Sequence, residues 1–230
     1  MGVTILPYTT KTPLEMMGYC AGVCWGANVS DAEKNIKRGL DCIESDHGRV
    51  LEFPEVYAVL EGYSARVIRE WYTHIGGMPT RLQASTRYID YTDFDYFEPV
   101  KIFTNAEAHE VYKNIMNQIA DACVQLDNLG IPREDTANAL PLGMTTKIID
   151  KRDLRNIVDM SHQRECARAY HEFRRLFQDY LNALCDYSDQ WAQIIEMTMK
   201  PKCEVIGHCP EKRSCGRMPK KEMINNQSIN

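Results

Sequence analysis

VYAVLEGYSARVIREWYTHIGG, residues 56–77, decides the class of fold this chain can adopt. Residues 56–63 are rich in β-branched and aromatic side chains and read as a strand. Ser64 follows, with a hydroxyl suited to accept from a free backbone N–H in the first turn of a helix. The next segment, ARVIREWYTHI, reads as a short helix that stops at Gly76 and Gly77. A strand feeding directly into a helix points to a mixed class.

Working outward, Ser30 and Glu33 form a capping box, and Ile36, Leu40 and Ile43 follow at helical spacing. A helix is predicted over 31–46, ended by His47 and Gly48. Thr104 and Glu107 make a second capping box ahead of a long apolar stripe of Val111, Ile115, Ile119, Ala122 and Leu126, which closes at Gly130 and Pro132. A short helix is expected at 133–139, ending by Leu140-Pro141, then a β-prone MTTKII at 144–149, with Asp150 or Asp153 capping what comes next. From Leu154 to about Ile195 the pattern is helical, with Tyr170, Phe173, Phe177, Tyr180, Leu181 and Leu184 apolar and a break near Ser161. Few strands and many helices give an α/β or α+β mixed domain over 1–200. A basic, cysteine-containing tail, 201–230, ends in MINNQSIN and has little core of its own.

The chain has 230 residues, 44% apolar and 26% charged, which suits one globular domain and neither a disordered nor a fibrous protein. No apolar run is long enough to span a bilayer and no leader pattern opens the chain, so a cytoplasmic location without a membrane partner is expected. A net charge of −5 argues against nucleic-acid binding by global electrostatics and leaves room for a small anionic ligand. Nine cysteines in a chain of this size are expected as reduced thiols, most of them buried. Cys203, His208, Cys209 and Cys215 could supply four zinc ligands, but they lack a C-x-x-C knuckle, and no metal is assigned.

Two stretches are more polar than structure requires. RLQASTRY, residues 81–88, carries two guanidinium forks, two hydroxyls, a phenol and an amide, a set that suits a nucleotide monophosphate. The same residues would serve as an exposed polar turn. Asp153, Arg155, Asn156, Asp159, His162, Gln163 and Arg164 form the second stretch. It reads either as a ligand-binding helix or as a solvated helix with Arg155 and Asp159 paired at i,i+4. His47, close to Glu52 and Glu55, and His74 carry no motif that makes them catalysts. The chain contains no G-x-G-x-x-G, Walker-type or G-x-S-x-G signature, so a dinucleotide would not be held by a Rossmann loop.

In order and separation these stretches resemble the flavin-dependent thymidylate synthases, the ThyX family. REWYTHIGG followed by QASTRY is similar to the family signature, an Arg-His-Arg segment with a Ser-x-Arg-Tyr ending. HGRVLEF, GIPRE with Leu140-Pro141, and DLRNIVDMSHQRECARAYHEF match further family segments, so the likeness runs from about residue 20 to 185. It implies a mixed α/β fold with a central sheet flanked by long helices, assembled as a homotetramer with shared active sites. The implied reaction is reductive methylation of dUMP to dTMP, using methylenetetrahydrofolate, NADPH and FAD. A relative that modifies another pyrimidine nucleotide, or one that binds nucleotide without catalysis, would carry the same motifs.

Carried over by position, Glu70, Gln83, Ser85, Thr86, Arg87 and Arg164 would meet dUMP, with Arg164 and Ser85 catalytic. His47, Arg49, Glu52, His74, Arg155 and Asp159 would contact the flavin. No cysteine is implied as a nucleophile. The chain departs from the family at Thr73 and Ile75, which replace two arginines, and in two extra residues before QASTRY. It also has Ala137 in place of an arginine, Asp153 and Asp159 in place of asparagines, and Cys24 in place of a serine. Arg81 and Arg49 are candidates to supply the missing charge.

Overall fold

The computed structural model describes residues 1–227. In chain order it has β1 (Gly2–Ile5), α1 (Pro13–Cys24), α2 (Ala32–Glu44), β2 (Glu55–Ser64), α3 (Ala65–Trp71), β3 (Thr80–Gln83), α4 (Val100–Phe103) and α5 (Ala106–Asn128). There follow α6 (Arg133–Thr136), β4 (Thr145–Asp153), α7 (Leu154–Arg164), α8 (His171–Tyr187), α9 (Asp189–Thr198), α10 (Lys202–Val205) and α11 (Lys221–Gln227). The strands form one sheet in the order β1-β2-β4-β3, so the fold is of the expected mixed α/β class. Residues 228–230, the end of the predicted tail, lie outside the described residues.

The chain divides into two compact units. The first comprises Met1–Thr4, Val59–Thr73 and Arg81–Asp150; the second comprises Ile5–Ala58, His74–Thr80 and the chain from Lys151 onward. In the first unit Phe94, Met116 and Met144 are buried together, with Tyr112, Ile119 and Ala120 of α5 packed against them. The expected α5 stripe is therefore corrected. Val111 and Ile115 are 55% and 47% exposed, because the buried face is centred one position along, on Met116 and Cys123. In the second unit Leu14, Met17, Ile157, Phe173, Phe177, Tyr180, Leu184 and Trp191 are fully buried.

Several boundaries shift for local reasons. Ser64 caps α3 as expected, accepting from Val67 N at 3.1 Å. The two predicted capping boxes each move by one residue: Asp31 accepts from Lys34 N at 3.2 Å, and Asn105 from Ala108 N at 3.0 Å. In both cases an Asx residue directly follows the predicted hydroxyl, and its side chain reaches the N–H three residues on. Helix α7 continues through Ser161, whose Oγ bonds back to the Val158 carbonyl at 2.7 Å, and the break falls at 165–170 instead. β4 runs four residues past the predicted end to Asp153, which caps α7 by accepting from Asn156 N at 2.7 Å.

The cysteines also depart from expectation. All nine are free thiols, but only Cys42, Cys123 and Cys203 are buried, while Cys24 and Cys215 are exposed. In the tail, Cys209 bridges to Lys220, and two arginines tie the segment to residues 165–168. Arg168 pairs with Glu211 at 3.1 Å and donates to the Arg213 carbonyl; Arg217 donates to the Glu165 carbonyl at 3.2 Å and pairs with Glu204 at 3.5 Å.

Candidate active site

The residues singled out by sequence are distributed over both units. In the first unit, Glu70 lies in the last turn of α3 and Gln83 ends β3. Ala84 N donates to the Lys147 carbonyl at 2.8 Å, which holds the start of the QASTRY segment to β4. Gln83 Nε2 donates to Thr146 Oγ1 at 3.4 Å, and Ser85 Oγ accepts from Arg87 N at 3.2 Å, turning the chain immediately after the strand. Thr86 faces a small cavity with Arg133, Thr136 and Ala137. Arg87 meets Glu134 at 2.7 Å in a pair whose side chains are both more than half exposed. Arg81 donates to the Tyr72 carbonyl at 3.0 Å and lies over the Tyr72 ring.

In the second unit the decisive pair is His74 and Arg164, 90 residues apart in sequence. Arg164 Nε donates to His74 Nε2 at 2.9 Å, so the imidazole accepts at that nitrogen and carries its proton on Nδ1. The guanidinium carbon sits 4.1 Å from the Phe173 ring centroid, and the His74 ring meets Phe173 edge-on at 5.8 Å. Burial, then the cations of Arg164 and Arg152, push the His74 pKa down to about 4. The imidazole is therefore neutral through the physiological range.

A buried network supports this pair. Arg152, 1% exposed, donates to Asn156 Oδ1, and Asn156 Nδ2 donates to the Gly76 carbonyl at 2.7 Å and the His74 carbonyl at 3.4 Å. Burial raises the Asp153 carboxyl above the usual carboxylate range; the Asn156 N–H opposes this, and the charges of Glu52 and Asp159 add to the rise. Arg155 Nη1 meets Glu52 Oε1 at 3.0 Å, and Arg49 meets the same carboxylate at 3.8 Å. The expected Arg155–Asp159 pairing gives way to this longer-range contact, and Asp159 lies exposed on α7. His47 precedes the 3-10 turn at Gly48–Glu52 and touches the edge of Trp25.

The model of the family described as thymidylate synthase complementing protein matches residues 4–187, a span that includes all of these side chains. The chain belongs to that family.

Among its relatives, a flavin-dependent thymidylate synthase of Pyrococcus furiosus is 27% identical, covering 91% of this chain and 89% of its own length. One of Geobacter sulfurreducens is 26% identical over the full length of both. The solved structure of the Helicobacter pylori flavin-dependent thymidylate synthase ThyX, complexed with FAD and dUMP, superposes with a TM-score of 0.65 at 16% identity. That superposition covers 84% of this chain and 99% of the other, and it shows the shared fold.

Within this thymidylate synthase complementing protein family member, sequence reasoning missed Arg152 altogether and gave Asn156 no role. Both lie where charged residues interrupt an apolar pattern, and only their burial reveals them. Arg164 also lines a cavity of about 590 Å3 with Cys166, Cys203, Cys209 and Cys215. Among the described residues, no three His, Cys, Asp or Glu side chains are placed to hold a metal ion. No helix among them is long and apolar enough to cross a membrane.

Proposed function

We propose that this chain is a flavin-dependent thymidylate synthase, methylating dUMP reductively to dTMP. Methylenetetrahydrofolate supplies the carbon and NADPH the reducing equivalents; with a proton, the products are dTMP, tetrahydrofolate and NADP+. The observation that carries the reading is the family match over residues 4–187, which takes in both polar constellations. Full-length likeness to relatives bearing that name supports it.

FAD, when bound, supplies the hydride. The residues present suit its pyrophosphate: Arg49 is 86% exposed in its side chain, and Arg155 is paired with Glu52 across a contact that leaves its side chain about half exposed. Such pairs are worth about 0–1 kcal/mol, so a phosphate can displace the carboxylate. His47, Glu52 and Asp159 complete the set assigned to the flavin in this proposal. On the nucleotide, Arg87 is the phosphate ligand, exchanging Glu134 for a dianion, with Gln83, Ser85, Thr86 and Glu70 as its neighbours. Arg164, held beside neutral His74, stabilises the negative charge that develops on the uracil as it attacks the methylene carbon. Ser85 is assigned to the same step.

A homotetramer with active sites shared between copies belongs to this reading. The outer face of α5 offers an apolar groove of about 420 Å3 lined by Ile102, Ala108, Val111, Tyr112 and Ile115, a surface that suits burial against another copy. A cytoplasmic location goes with it, since the nucleotide and folate substrates are there. The tail, 201–230, is read as an appendage to a catalytic domain at 1–200.

Thymidine rescue tests the proposal. The chain should restore growth without thymidine to cells that lack their own thymidylate synthase, and the purified protein should be yellow. Soluble, flavin-loaded protein that neither rescues growth nor forms dTMP from dUMP would sink it.

A further inference from the structure

The segment from His74 to Pro79 lies between α3 and β3 and belongs to neither. One helix holds it. Asn156, 3% exposed near the start of α7, grips the carbonyls of Gly76 and His74, and the Asp153 carboxylate that caps α7 lies against Gly77. About two turns further along α7, Arg164 donates to His74 Nε2 and lays its guanidinium on Phe173. The beginning of α7 thus fixes the loop, and the loop's histidine in return fixes the arginine near the helix's end.

We propose that His74 is a positioning residue for Arg164: its Nε2 lone pair, with the face of Phe173, sets the plane of the guanidinium that borders the cavity at the end of α7. This rests on the reading of Arg164 as the arginine that meets the pyrimidine. It differs from the flavin contact implied for His74 by resemblance, since the ring is largely buried and Nε2 is already engaged by Arg164.

Two physical features make imidazole suited to this task. A carboxylate at the same place would bond the guanidinium more strongly, but it would also cancel the charge needed at the uracil. Neutral imidazole orients the cation without bringing a negative charge of its own. The arrangement requires an unprotonated Nε2, and burial together with two neighbouring arginines secures that well below neutral pH. An arginine ordered before the ligand arrives also spares the complex the loss of its rotamer freedom.

The test compares His74→Leu with His74→Gln, whose amide oxygen can accept near the Nε2 position. For each, the Kd for dUMP, kcat and bound FAD are measured. His74→Leu should lose about tenfold or more in kcat or dUMP affinity, the scale of one hydrogen bond to a charged group, with FAD content little changed. His74→Gln should recover most of that loss. Wild-type behaviour in His74→Leu, equal loss in both variants, or loss of FAD with dUMP affinity intact would overturn the positioning role.

Histidine 15N NMR reads the link without turnover. The wild-type protein should show an Nδ1-protonated His74 that titrates near pH 4, and Arg164→Ala should abolish the preference for that tautomer, while burial still keeps the titration below the ordinary histidine range. An Nε2-protonated His74 in the wild-type protein would overturn the proposal. If the tautomer is as expected but no dTMP forms, the thymidylate reading fails while the positioning contact stands.

Discussion

A Cβ atom on Gly77 would lie 2.0 Å from Asp153 Oδ2, so the loop and the cap of α7 are packed with no room for a side chain. Gly77 also has φ +68°, where an alanine is strained by about 1 kcal/mol. Gly130 has a similar φ, +75°, but open space around it. Gly130→Ala should therefore lower stability by about 1 kcal/mol, and Gly77→Ala by about 2 kcal/mol or more, with activity falling as well. Urea unfolding of the two variants checks this, and equal losses would mean that Asp153 yields freely.

His74 gives a pH dependence with a definite sign. Its folded pKa, about 4, lies below the ordinary histidine value, so between these limits the unfolded chain binds more protons. The stability contributed by neutral His74 is fully present above about pH 6.5 and is lost as pH falls through about 4, by no more than about 3 kcal/mol. In urea titrations from pH 7 to pH 4.5, the wild-type midpoint should fall more steeply than that of His74→Gln. Parallel curves would remove His74 as the cause.

Asp153 titrates in the opposite sense. Its folded pKa is raised, so the stability linked to its protonated form is present below the ordinary carboxylate range and lost as pH rises through the folded value. Asp153→Asn keeps an oxygen to accept from Asn156 N and removes the buried charge. At pH 7 it should match or exceed wild type in thermal stability, whereas Asp153→Ala should cost about 1 kcal/mol through loss of the cap.

The displaced caps can be told from the predicted ones by alanine substitution. Asp31→Ala and Asn105→Ala should each cost about 1 kcal/mol, while Ser30→Ala and Thr104→Ala should stay within about 0.5 kcal/mol. Chemical denaturation of the four variants is the measurement. A larger loss at Ser30 or Thr104 would restore the hydroxyl caps.

These boundaries show what a one-dimensional pattern can carry. The strand and helix of 56–71 were legible because alternation, cap and helix lie within one short stretch, and structure extends the strand only to Glu55–Ser64. Beyond Ile149, β4 was illegible because its inward positions are Asp150 and Arg152, both fully buried, which break the apolar alternation of a strand. α1 was missed although Thr12-Pro13 marks its start, since its sequence lacks a clear polar face. At the site, QASTRY and the 153–164 segment stood out by composition. The His74–Arg164 contact did not, because residues 90 positions apart meet only through the fold. Arg152 gave no signal, since a buried arginine and an exposed one are written alike.

The tail is fastened chiefly by charge. Arg168, Glu211, Arg217 and Glu204 are each roughly 40–50% exposed, and among the described tail residues from Pro201 on only Pro201 and Cys203 are buried. Ion pairs this exposed are screened once the Debye length shrinks to a few ångströms, whereas the apolar cores are not weakened by salt. At about 1 M sodium chloride, limited proteolysis should cut between Gly207 and Gly216 well before it touches α8, making ionic strength a handle that loosens one end of the chain selectively.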